Sequence, residues 1–348
     1  MPHSTPGVLG WDIGGANVKA VRLDSRPGQP PALQSRSTPF EIQRDPVALV
    51  PTLRRLAAEL EAGGGPHAVT MTAELSQAFR TKREGVGAVL DAVEAAFPGA
   101  EVGVYTVGGR FVTPAVARSI PLEVAASNWA ATARLVTHFV PDCLLIDIGT
   151  TTTDIIPIVG GEVAAQGRTD PERLASGELV YTGALRTPCE AVANEVPVGG
   201  ARCAVSAEGF ALMGDVYLWT GRLSPEDYTV KSPDGRPGTR EFAGERLARV
   251  VCADREMLND ETIGQIAHAL TEAQTGTVAA AIDRVRERHP GLRVAVVTGS
   301  GDFIAAEAAR RVGLAVVPLA DRIGDAARTA PAAAVAWLLA EALAERAG

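Results

Sequence analysis

The amino-acid sequence predicts an α/β fold of two similar domains around a cleft, with a helical insertion in the second domain. An apolar run, Asp-Ile-Gly and a small-residue turn occur at residues 10–19 and again at 144–155. The two aspartates, Asp12 and Asp147, lie 135 positions apart, which suits a duplicated domain. A third glycine-rich turn, at 299–302, separates an apolar run from a helical pattern. The length of 348 residues also favours two domains over one.

Composition narrows the class of protein. Hydrophobic residues make up 46% of the chain, which is enough for a large and mostly aliphatic core. The formal net charge of −8 argues against binding to nucleic acid or to an anionic membrane. Cys143, Cys189, Cys203 and Cys252 are widely separated, so neither a zinc site nor a disulfide framework is indicated. The first residues carry no signal pattern and no apolar run reaches membrane length, so we expect a soluble cytoplasmic protein.

The first predicted domain covers residues 1–140. Its apolar runs and helical stripes give the order strand, strand, strand, helix, strand, helix, strand, helix, which is typical of a ribonuclease-H-like domain. Asp45 followed by Pro46 indicates a helix start, and residues 26–31 indicate a turn. The predicted strands lie at 8–13, 18–23, 32–40, 68–72 and 102–107, and the predicted helices at about 45–60, 85–97 and 122–139.

The second predicted domain, residues 141–348, begins with the same strand pattern and then departs from it. Helical patterns between about 170 and 290 predict an inserted helical lobe, whose size is typical of a homodimer surface. The loop at 232–238 is predicted to be exposed and mobile. The predicted strands lie at 143–148, 154–159, 162–168, 294–298 and 315–319, and the predicted helices at 207–218, 241–257, 261–289, 303–311 and, as a closing amphipathic helix, 332–346.

The repeated Asp-Ile-Gly hairpins carry the predicted chemistry. An aspartate inside an apolar strand is costly unless it is paired or holds a metal. Two such hairpins facing each other would bind a polyphosphate through Mg²⁺ held by Asp12 and Asp147, since magnesium needs only one or two carboxylates besides phosphate and water. The simpler interpretation is a β-hairpin with a threonine-rich turn. The expected phosphate contacts are Gly14, Gly15, Asn17, Lys19, Gly149, Thr150, Thr151, Thr152, Gly299, Ser300 and Gly301.

The three turns, in this order and spacing, resemble the superfamily of acetate and sugar kinases, Hsp70 chaperones and actin. This resemblance covers nearly the whole chain and implies two ribonuclease-H-like domains of the actin-like ATPase fold. It makes residues 10–19 and 144–155 the two phosphate motifs and residues 295–305 an adenosine-type motif. Binding of ATP is compatible with the resemblance, although we do not expect ATP to be consumed.

Within that superfamily the sequence is similar to hydantoinase/oxoprolinase-like proteins linked to tetrahydromethanopterin-dependent one-carbon transfer. The similarity rests on the stretches 14–19, 70–75, 126–129, 147–154 and 177–183. Archaeal members act in methanofuran biosynthesis and join an aminomethyl-furan methyl diphosphate to the phenol oxygen of γ-glutamyltyramine, releasing diphosphate. Methylotrophic bacteria make a related methylofuran with a tyrosine-derived unit. The resemblance therefore implies an alkyl transferase with small-molecule substrates.

That reaction assigns roles to several residues. Asp12 and Asp147, with magnesium and the turn N–H groups, would neutralise the leaving diphosphate. Lys19 either adds positive charge there or points to solvent. Glu74, just past a strand end, is expected to act as a general base on the phenol or to orient a metal-bound water, unless it only favours a helix start. Asp154 either holds a second metal-bound water or caps the threonine turn.

The acceptor side is predicted from three further residues. Asn128, Tyr181 and Arg186 are the expected substrate contacts, and Arg186 would pair with a substrate carboxylate unless it is simply solvated. The five histidines fall outside every motif and receive no role. The residues leave open which phenol is the acceptor.

Two other classes of function remain open at this level. One is an ATP-dependent small-molecule kinase or an oxoprolinase-type amidohydrolase, for which ADP release should depend on Asp147. The other is a non-enzymatic nucleotide-gated protein, which is disfavoured because the chain has no additional peptide-binding domain.

Overall fold

The computed structural model of the chain describes residues 7–25 and 30–347. The turn predicted at 26–31 lies mostly outside these ranges. The start of the chain, where the sequence shows no signal pattern, also lies outside them. The strands are β1 Val8–Ile13, β2 Asn17–Asp24, β3 Ala32–Pro39, β4 His67–Met71, β5 Val102–Tyr105, β6 Phe111–Val112, β7 Cys143–Ile148, β8 Thr153–Val159, β9 Glu162–Val163, β10 Leu179–Val180, β11 Glu195–Val198, β12 Ala201–Ala204, β13 Val294–Thr298 and β14 Ala315–Pro318. The helices are α1 Leu49–Glu59, α2 Lys82–Ala96, α3 Pro114–Ser119, α4 Pro121–Val124, α5 Asn128–Thr137, α6 Asp170–Ser176, α7 Met213–Trp219, α8 Arg240–Arg249, α9 Asp260–Glu287, α10 Asp302–Arg311, α11 Ala320–Ile323 and α12 Ala330–Ala347. In the part of the chain so described, none of these helices is both long and apolar enough to span a bilayer.

The first sheet has six strands in the order β3-β2-β1-β4-β5-β6. β1, β2 and β3 pair antiparallel, whereas β4 runs parallel to both β1 and β5. Short turns can join antiparallel strands, but parallel neighbours need a helical crossover, which α1 and α2 provide. This is the ribonuclease-H-like arrangement that the order of sequence patterns predicts.

The second sheet repeats that arrangement with the order β10-β8-β7-β13-β14, and β9 also pairs with β8. β7, β8, β10, β13 and β14 therefore correspond to β1, β2, β3, β4 and β5. The predicted α/β fold with two ribonuclease-H-like sheets is confirmed. β11 and β12 form a separate antiparallel hairpin within the predicted insertion.

The chain forms two compact units, which are described separately below. The first unit comprises residues 1–145, 156–173 and 317–348, and the second comprises residues 146–155 and 174–316. The domain boundary predicted near residue 140 stays a prediction.

The core of the first unit joins its helices to the strand β1. The side chains of α1 and α2 share one apolar cluster with Trp11 of β1. Trp11 donates its indole N–H to Nδ1 of His67 at 3.0 Å, and burial lowers the pKa of His67 to about 4. This histidine is thus a neutral core residue.

Helix α12 lies directly against β1. A β-carbon added at Gly10 would be 2.0 Å from the carbonyl oxygen of Ala332 and 2.8 Å from Cβ of Ala336. The alanine-rich first half of α12 is buried on nearly all sides, so the predicted amphipathic pattern does not describe it. The small side chains allow the helix to approach the sheet closely.

One predicted helix is wrong. Instead of a continuous helix over 122–139, the chain has α4, a break and then α5. Within the break, Ala126 has a φ of 50°, Ala125 forms a parallel bridge with Met71, and Ser127 Oγ donates to the carbonyl of Tyr105 at 3.0 Å. These tertiary contacts compensate for the lost helical hydrogen bonds.

The insertion is also less helical than predicted. The helix predicted at 207–218 is present only as α7, and the helix predicted at 241–257 ends with α8 at Arg249. Before the insertion, the strand predicted at 162–168 is reduced to β9. The loop at 232–238 is largely exposed, but Arg246 of α8 pairs with Asp234 at 3.1 Å and with the buried Asp215 at 2.6 Å. The buried arginine thus attaches the loop to α7 and α8.

Candidate active site

The two Asp-Ile-Gly hairpins close with the same turn. The N–H of Gly14 donates to the carbonyl of Asn17 at 2.9 Å, and the N–H of Gly149 donates to the carbonyl of Thr152 at 2.9 Å. Both donors are therefore used inside their turns, which contradicts the expectation that these two N–H groups bind phosphate. The roles of Gly15 and of the threonine N–H groups stay predictions.

Asp12 lies on β1 and is only 4% exposed. Its register partner on β2 is Lys19, whose Nζ is 3.2 Å from Oδ2 of Asp12, so the alternative that Lys19 points to solvent is wrong. Oδ1 of Asp12 has no hydrogen-bond partner among the described residues. A buried carboxylate oxygen without a partner is costly, and it fits a metal ion or a metal-bound water.

Asp147 is the last residue but one of β7 and is 8% exposed. The third glycine-rich turn packs against it, because a β-carbon added at Gly299 would be 2.4 Å from Oδ1 of Asp147 and 2.3 Å from the carbonyl oxygen of Ile148. Gly299 also has a φ of 91°, so both the lack of room for a side chain and the backbone conformation require glycine here. The N–H of Gly301 donates to the Ile148 carbonyl at 2.8 Å, so it is a structural contact and not a phosphate donor. Ser300 completes this turn and is half-buried.

The threonine turn supports the segment that carries one predicted acceptor contact. The carbonyl of Thr150 accepts from the N–H groups of Leu185 and Arg186 at 3.1 and 2.9 Å, and the carbonyl of Gly149 accepts from Ala184 at 2.9 Å. A β-carbon added at Gly183 would be 2.5 Å from the nitrogen of Thr151. The exposed Arg186 side chain thus starts next to the threonine turn.

Tyr181 and Asn128 occupy different settings. Tyr181 is 62% exposed and borders the same 182–187 segment. Asn128 is the first residue of α5, in the first unit, and is half-buried. Both have accessible polar groups, and their contact with substrate stays a prediction.

Gln274, which the sequence reasoning missed, supports the 182–187 segment. From α9 its Nε2 donates to Oγ1 of Thr182 at 2.7 Å and to the carbonyl of Gly183 at 2.9 Å, and its Oε1 accepts from the hydroxyl of Tyr217 at 2.5 Å. Burial raises the pKa of Tyr217, so this hydroxyl stays a proton donor. The available signal was a glutamine on the apolar stripe of α9, four residues from both Leu270 and Val278.

Glu74 lies in a short 3₁₀ turn, Ala73–Leu75, directly after β4. It is only 1% exposed, and neither carboxylate oxygen has a hydrogen-bond partner among residues 7–25 and 30–347. The nearest cation is Lys82, with Nζ 3.9 Å from Oε1. Burial raises the pKa of Glu74 to about 7, because desolvation outweighs the opposing effect of Lys82.

Each unit therefore holds a different part of the predicted chemistry. The first contains a buried carboxylate paired with Lys19 and a carboxyl group that titrates near neutrality. The second contains Asp147, the third turn and the threonine turn in one cluster. No group of three or more histidines, cysteines or acids able to hold a metal occurs in the described part of the chain, so magnesium would rely on single carboxylates and phosphate oxygens.

Comparison with known proteins identifies the family. A family model described as hydantoinase/oxoprolinase matches residues 66–342. The chain belongs to this family. A (4-{4-[2-(gamma-L-glutamylamino)ethyl]phenoxymethyl}furan-2-yl)methanamine synthase from Methanocaldococcus jannaschii is 37% identical over 338 residues, covering 97% of this chain and 98% of that protein. A synthase of the same name from Methanococcus vannielii is 33% identical over 203 residues, covering 57% of this chain and 90% of that protein.

Solved structures support the fold. The crystal structure of the ethanolamine utilization protein EutJ from Carboxydothermus hydrogenoformans aligns with a TM-score of 0.50 and 17% identity, covering 97% of this chain and 92% of that one. At this identity the likeness concerns the fold alone. The resemblance to the hydantoinase/oxoprolinase-like group is confirmed by the family match and by the relative from Methanocaldococcus jannaschii.

Proposed function

We propose that this enzyme transfers a furanylmethyl group to a phenol oxygen and releases diphosphate. The observation that carries the proposal is the 37% identity across 97% of the chain to a synthase whose named product contains a phenoxymethyl-furan ether. Both curated relatives are synthases, and this chain is an enzyme of the same kind. The proposed substrates are an aminomethyl-furan methyl diphosphate and γ-glutamyltyramine or a tyrosine-derived equivalent.

The reaction divides into two chemical tasks. The phenol oxygen forms a bond to the furan CH₂ carbon, while the bond from that carbon to diphosphate breaks and its electron pair leaves with diphosphate. The phenol proton passes to a base. The furan ring stabilises positive charge on the CH₂ carbon, so the protein must mainly stabilise the leaving group and accept the proton.

Stabilisation of the leaving group is assigned to the two hairpins. Bound magnesium would supply charge neutralisation for the diphosphate. Asp12, with its partnerless Oδ1, and Asp147 are each proposed as a magnesium ligand. Lys19 adds a fixed positive charge beside Asp12, and the threonine turn and Ser300 offer N–H and hydroxyl donors. ATP is proposed to have no part in the chemistry.

Glu74 is the proposed proton acceptor. A carboxyl group whose pKa is about 7 is half ionised near neutral pH, which suits general-base catalysis. Its oxygens have no hydrogen-bond partner among the described residues, so a phenol O–H would find an unused acceptor. Arg186 is proposed to pair with the carboxylate of the acceptor, since its guanidinium is exposed beside the threonine turn.

The test is a reaction without ATP. Purified enzyme, magnesium, the furanylmethyl diphosphate and γ-glutamyltyramine are incubated together, and ether and diphosphate are quantified by mass spectrometry and a phosphate assay. We expect one diphosphate per ether and a rate lowered by about 10²–10³ in Asp147→Asn. The family name points to a second candidate, ATP-dependent ring opening of an oxoproline or hydantoin. If turnover occurs only with ATP and yields ADP, the second candidate replaces the first.

Three further properties remain part of the proposal. Replacing γ-glutamyltyramine by a tyrosine-derived acceptor in the same assay identifies the preferred phenol. A cytoplasmic location fits the scattered free cysteines, and a fluorescent fusion would test it. Light scattering would test the expected homodimer.

A further inference from the structure

Three charged side chains of the first unit form a chain that the sequence patterns do not reveal. Lys82, the first residue of α2, has its Nζ 2.7 Å from Oδ2 of Asp170 and 3.9 Å from Oε1 of Glu74. Lys82 is one-quarter exposed, whereas Glu74 is fully enclosed. Arg173 also approaches Asp170, at 3.8 Å, while its guanidinium stacks 4.4 Å from the centre of the Trp129 ring.

The backbone around this chain is shaped to hold it. A β-carbon added at Gly85 would be 2.5 Å from the carbonyl oxygen of Glu74, so α2 touches the Glu74 backbone only because residue 85 is glycine. Gly85 and Lys82 are three residues apart and lie on one face of α2, which places the lysine over the carboxyl group. Glu172 accepts from the N–H groups of Arg168 and Thr169 at 2.9 and 3.0 Å, which fixes the start of α6 and thereby Asp170.

A lysine at the first position of a helix conflicts with the local electrostatics. The amino terminus of α2 carries partial positive charge, and a cation there is unfavourable. The next helical residue, Arg83, is exposed to solvent, whereas Lys82 is turned toward two carboxyl groups. Such a local conflict indicates a requirement set by tertiary structure.

We propose that Lys82 and Asp170 are positioning residues that set how readily Glu74 gives up and takes back its proton. Lys82 favours the Glu74 carboxylate by its positive charge. Asp170 opposes this in two ways, because it adds negative charge and because it holds the lysine nearer to itself. No other charged side chain is placed near Glu74 by α2, by α6 or by its own turn in the described chain; the uncharged N–H of Ala126 faces the carboxyl group from the segment before α5 but does not complete a hydrogen bond to it. The catalytic consequence rests on the proposed function, whereas the electrostatic control does not.

The proposal predicts opposite effects from two substitutions in one ion pair. Lys82→Met removes the favourable charge and should move the Glu74 midpoint to higher pH by about one pH unit. Asp170→Asn removes the opposing charge and releases the lysine toward Glu74, so it should move the midpoint to lower pH. Lys82→Arg keeps the charge and should restore most of the original midpoint. Arg83→Met is the matched control and should leave it unchanged.

The measurement is infrared difference spectroscopy of the enzyme without substrates over a pH series. The C=O stretch of the protonated carboxyl group is assigned by its loss in Glu74→Gln. Shifts of the same sign in Lys82→Met and Asp170→Asn, or no shift in either, would overturn the proposal. If Lys82→Met does not fold, the Asp170→Asn variant alone tests the proposal. Only a lower Glu74 midpoint in that variant agrees with it.

Kinetics separate this inference from the proposed function. The acidic limb of kcat/KM should follow the spectroscopic midpoint in each variant, with KM for the diphosphate substrate nearly constant. Spectroscopic shifts without any ether formation would contradict the proposed alkyl transfer and would still support electrostatic control of Glu74 by Lys82 and Asp170. Ether formation with a pH profile that neither substitution changes would contradict the positioning role of Lys82 and Asp170.

Discussion

The first hairpin pairs its aspartate with a lysine, whereas the second places another acid at the equivalent position. Lys19 follows Asp12 by seven residues, and Asp154 follows Asp147 by seven residues. Because both hairpins close with the same Gly N–H to carbonyl turn, these positions correspond. Asp154 is buried, and so is Asp12. The same backbone thus carries a lysine paired with the aspartate in the first unit and an acid at the equivalent position in the second.

A second difference lies after the equivalent strands β4 and β13. The chain leaving β4 forms the turn that carries Glu74, and the chain leaving β13 forms the glycine turn that packs on Asp147. The repeated fold therefore places different side chains at equivalent strand ends. In the proposed function, proton transfer belongs to the turn of Glu74 and contact with phosphate to the turn beside Asp147.

The largest effects are expected from the two hairpin aspartates. Asp12→Asn and Asp147→Asn should each lower kcat/KM by about 10²–10³, because each removes charge that serves the leaving group. Asp147→Asn should also raise the magnesium concentration for half-maximal rate more than Asp12→Asn, since Lys19 already supplies a cation beside Asp12. Magnesium titrations of ether formation measure both effects. Equal magnesium dependence in the two variants would remove the asymmetry between the hairpins.

Glu74→Gln should lower kcat/KM by about 100-fold and also stabilise the fold. Burial raises the pKa of Glu74 from 4.5 to about 7, so the folded state binds a proton more tightly than the unfolded state. The contribution of Glu74 to stability is therefore most favourable below pH 4.5 and is lost as the pH rises through 7. Glu74→Gln removes this loss and should raise the free energy of unfolding by roughly 3 kcal/mol well above pH 7, with little change below pH 4.5. Urea titrations measure it, with the exposed Glu61→Gln as control; a pH-independent difference would contradict the assignment.

Gly299→Ala should destabilise the second unit by about 1–3 kcal/mol and reduce turnover. The new β-carbon would meet the carboxylate of Asp147 and the carbonyl of Ile148, in a backbone conformation that alanine rarely adopts. Gly291→Ala is the control, because that position has open space and no positive φ. Thermal melts compare the two variants, and equal melting temperatures would show that the third turn does not depend on glycine.

The smallest effects concern the two unequal positions. Lys19→Met should tighten magnesium binding by up to about fivefold, since it frees the Asp12 carboxylate from a partly exposed ion pair. Asp154→Asn should weaken it by a similar factor. Isothermal titration with magnesium and diphosphate measures both constants. Changes of equal sign would contradict the correspondence between these positions.

The doubled sheet could be predicted from the sequence because its signals are local. Each Asp-Ile-Gly hairpin lies within about a dozen residues, and its repetition indicates a duplication. The strand order then follows from short turns and helical crossovers. The buried positions of Asp12 and Asp147 could likewise be predicted from the apolar strands that contain them, whereas Glu74 could be placed only just past a strand end.

The remaining features depend on contacts between distant residues. The break before α5 is stabilised by Ser127, which bonds Thr70 and the carbonyl of Tyr105, and apolar periodicity contains no trace of this. Lys82 and Asp170 are 88 residues apart, so their ion pair could not be inferred. The internal use of the Gly14 and Gly149 N–H groups depends on turn geometry that residue types alone do not specify.

The most direct test of the central claim follows the phenol oxygen. The acceptor is labelled with ¹⁸O in its phenol, mixed with the furanylmethyl diphosphate, magnesium and enzyme, and ATP is omitted. Transfer of the alkyl group to the phenol predicts that the ether keeps the label and that unlabelled diphosphate appears in equal amount. An unlabelled ether, or a labelled ether that forms only when ATP is converted to ADP, would contradict the account.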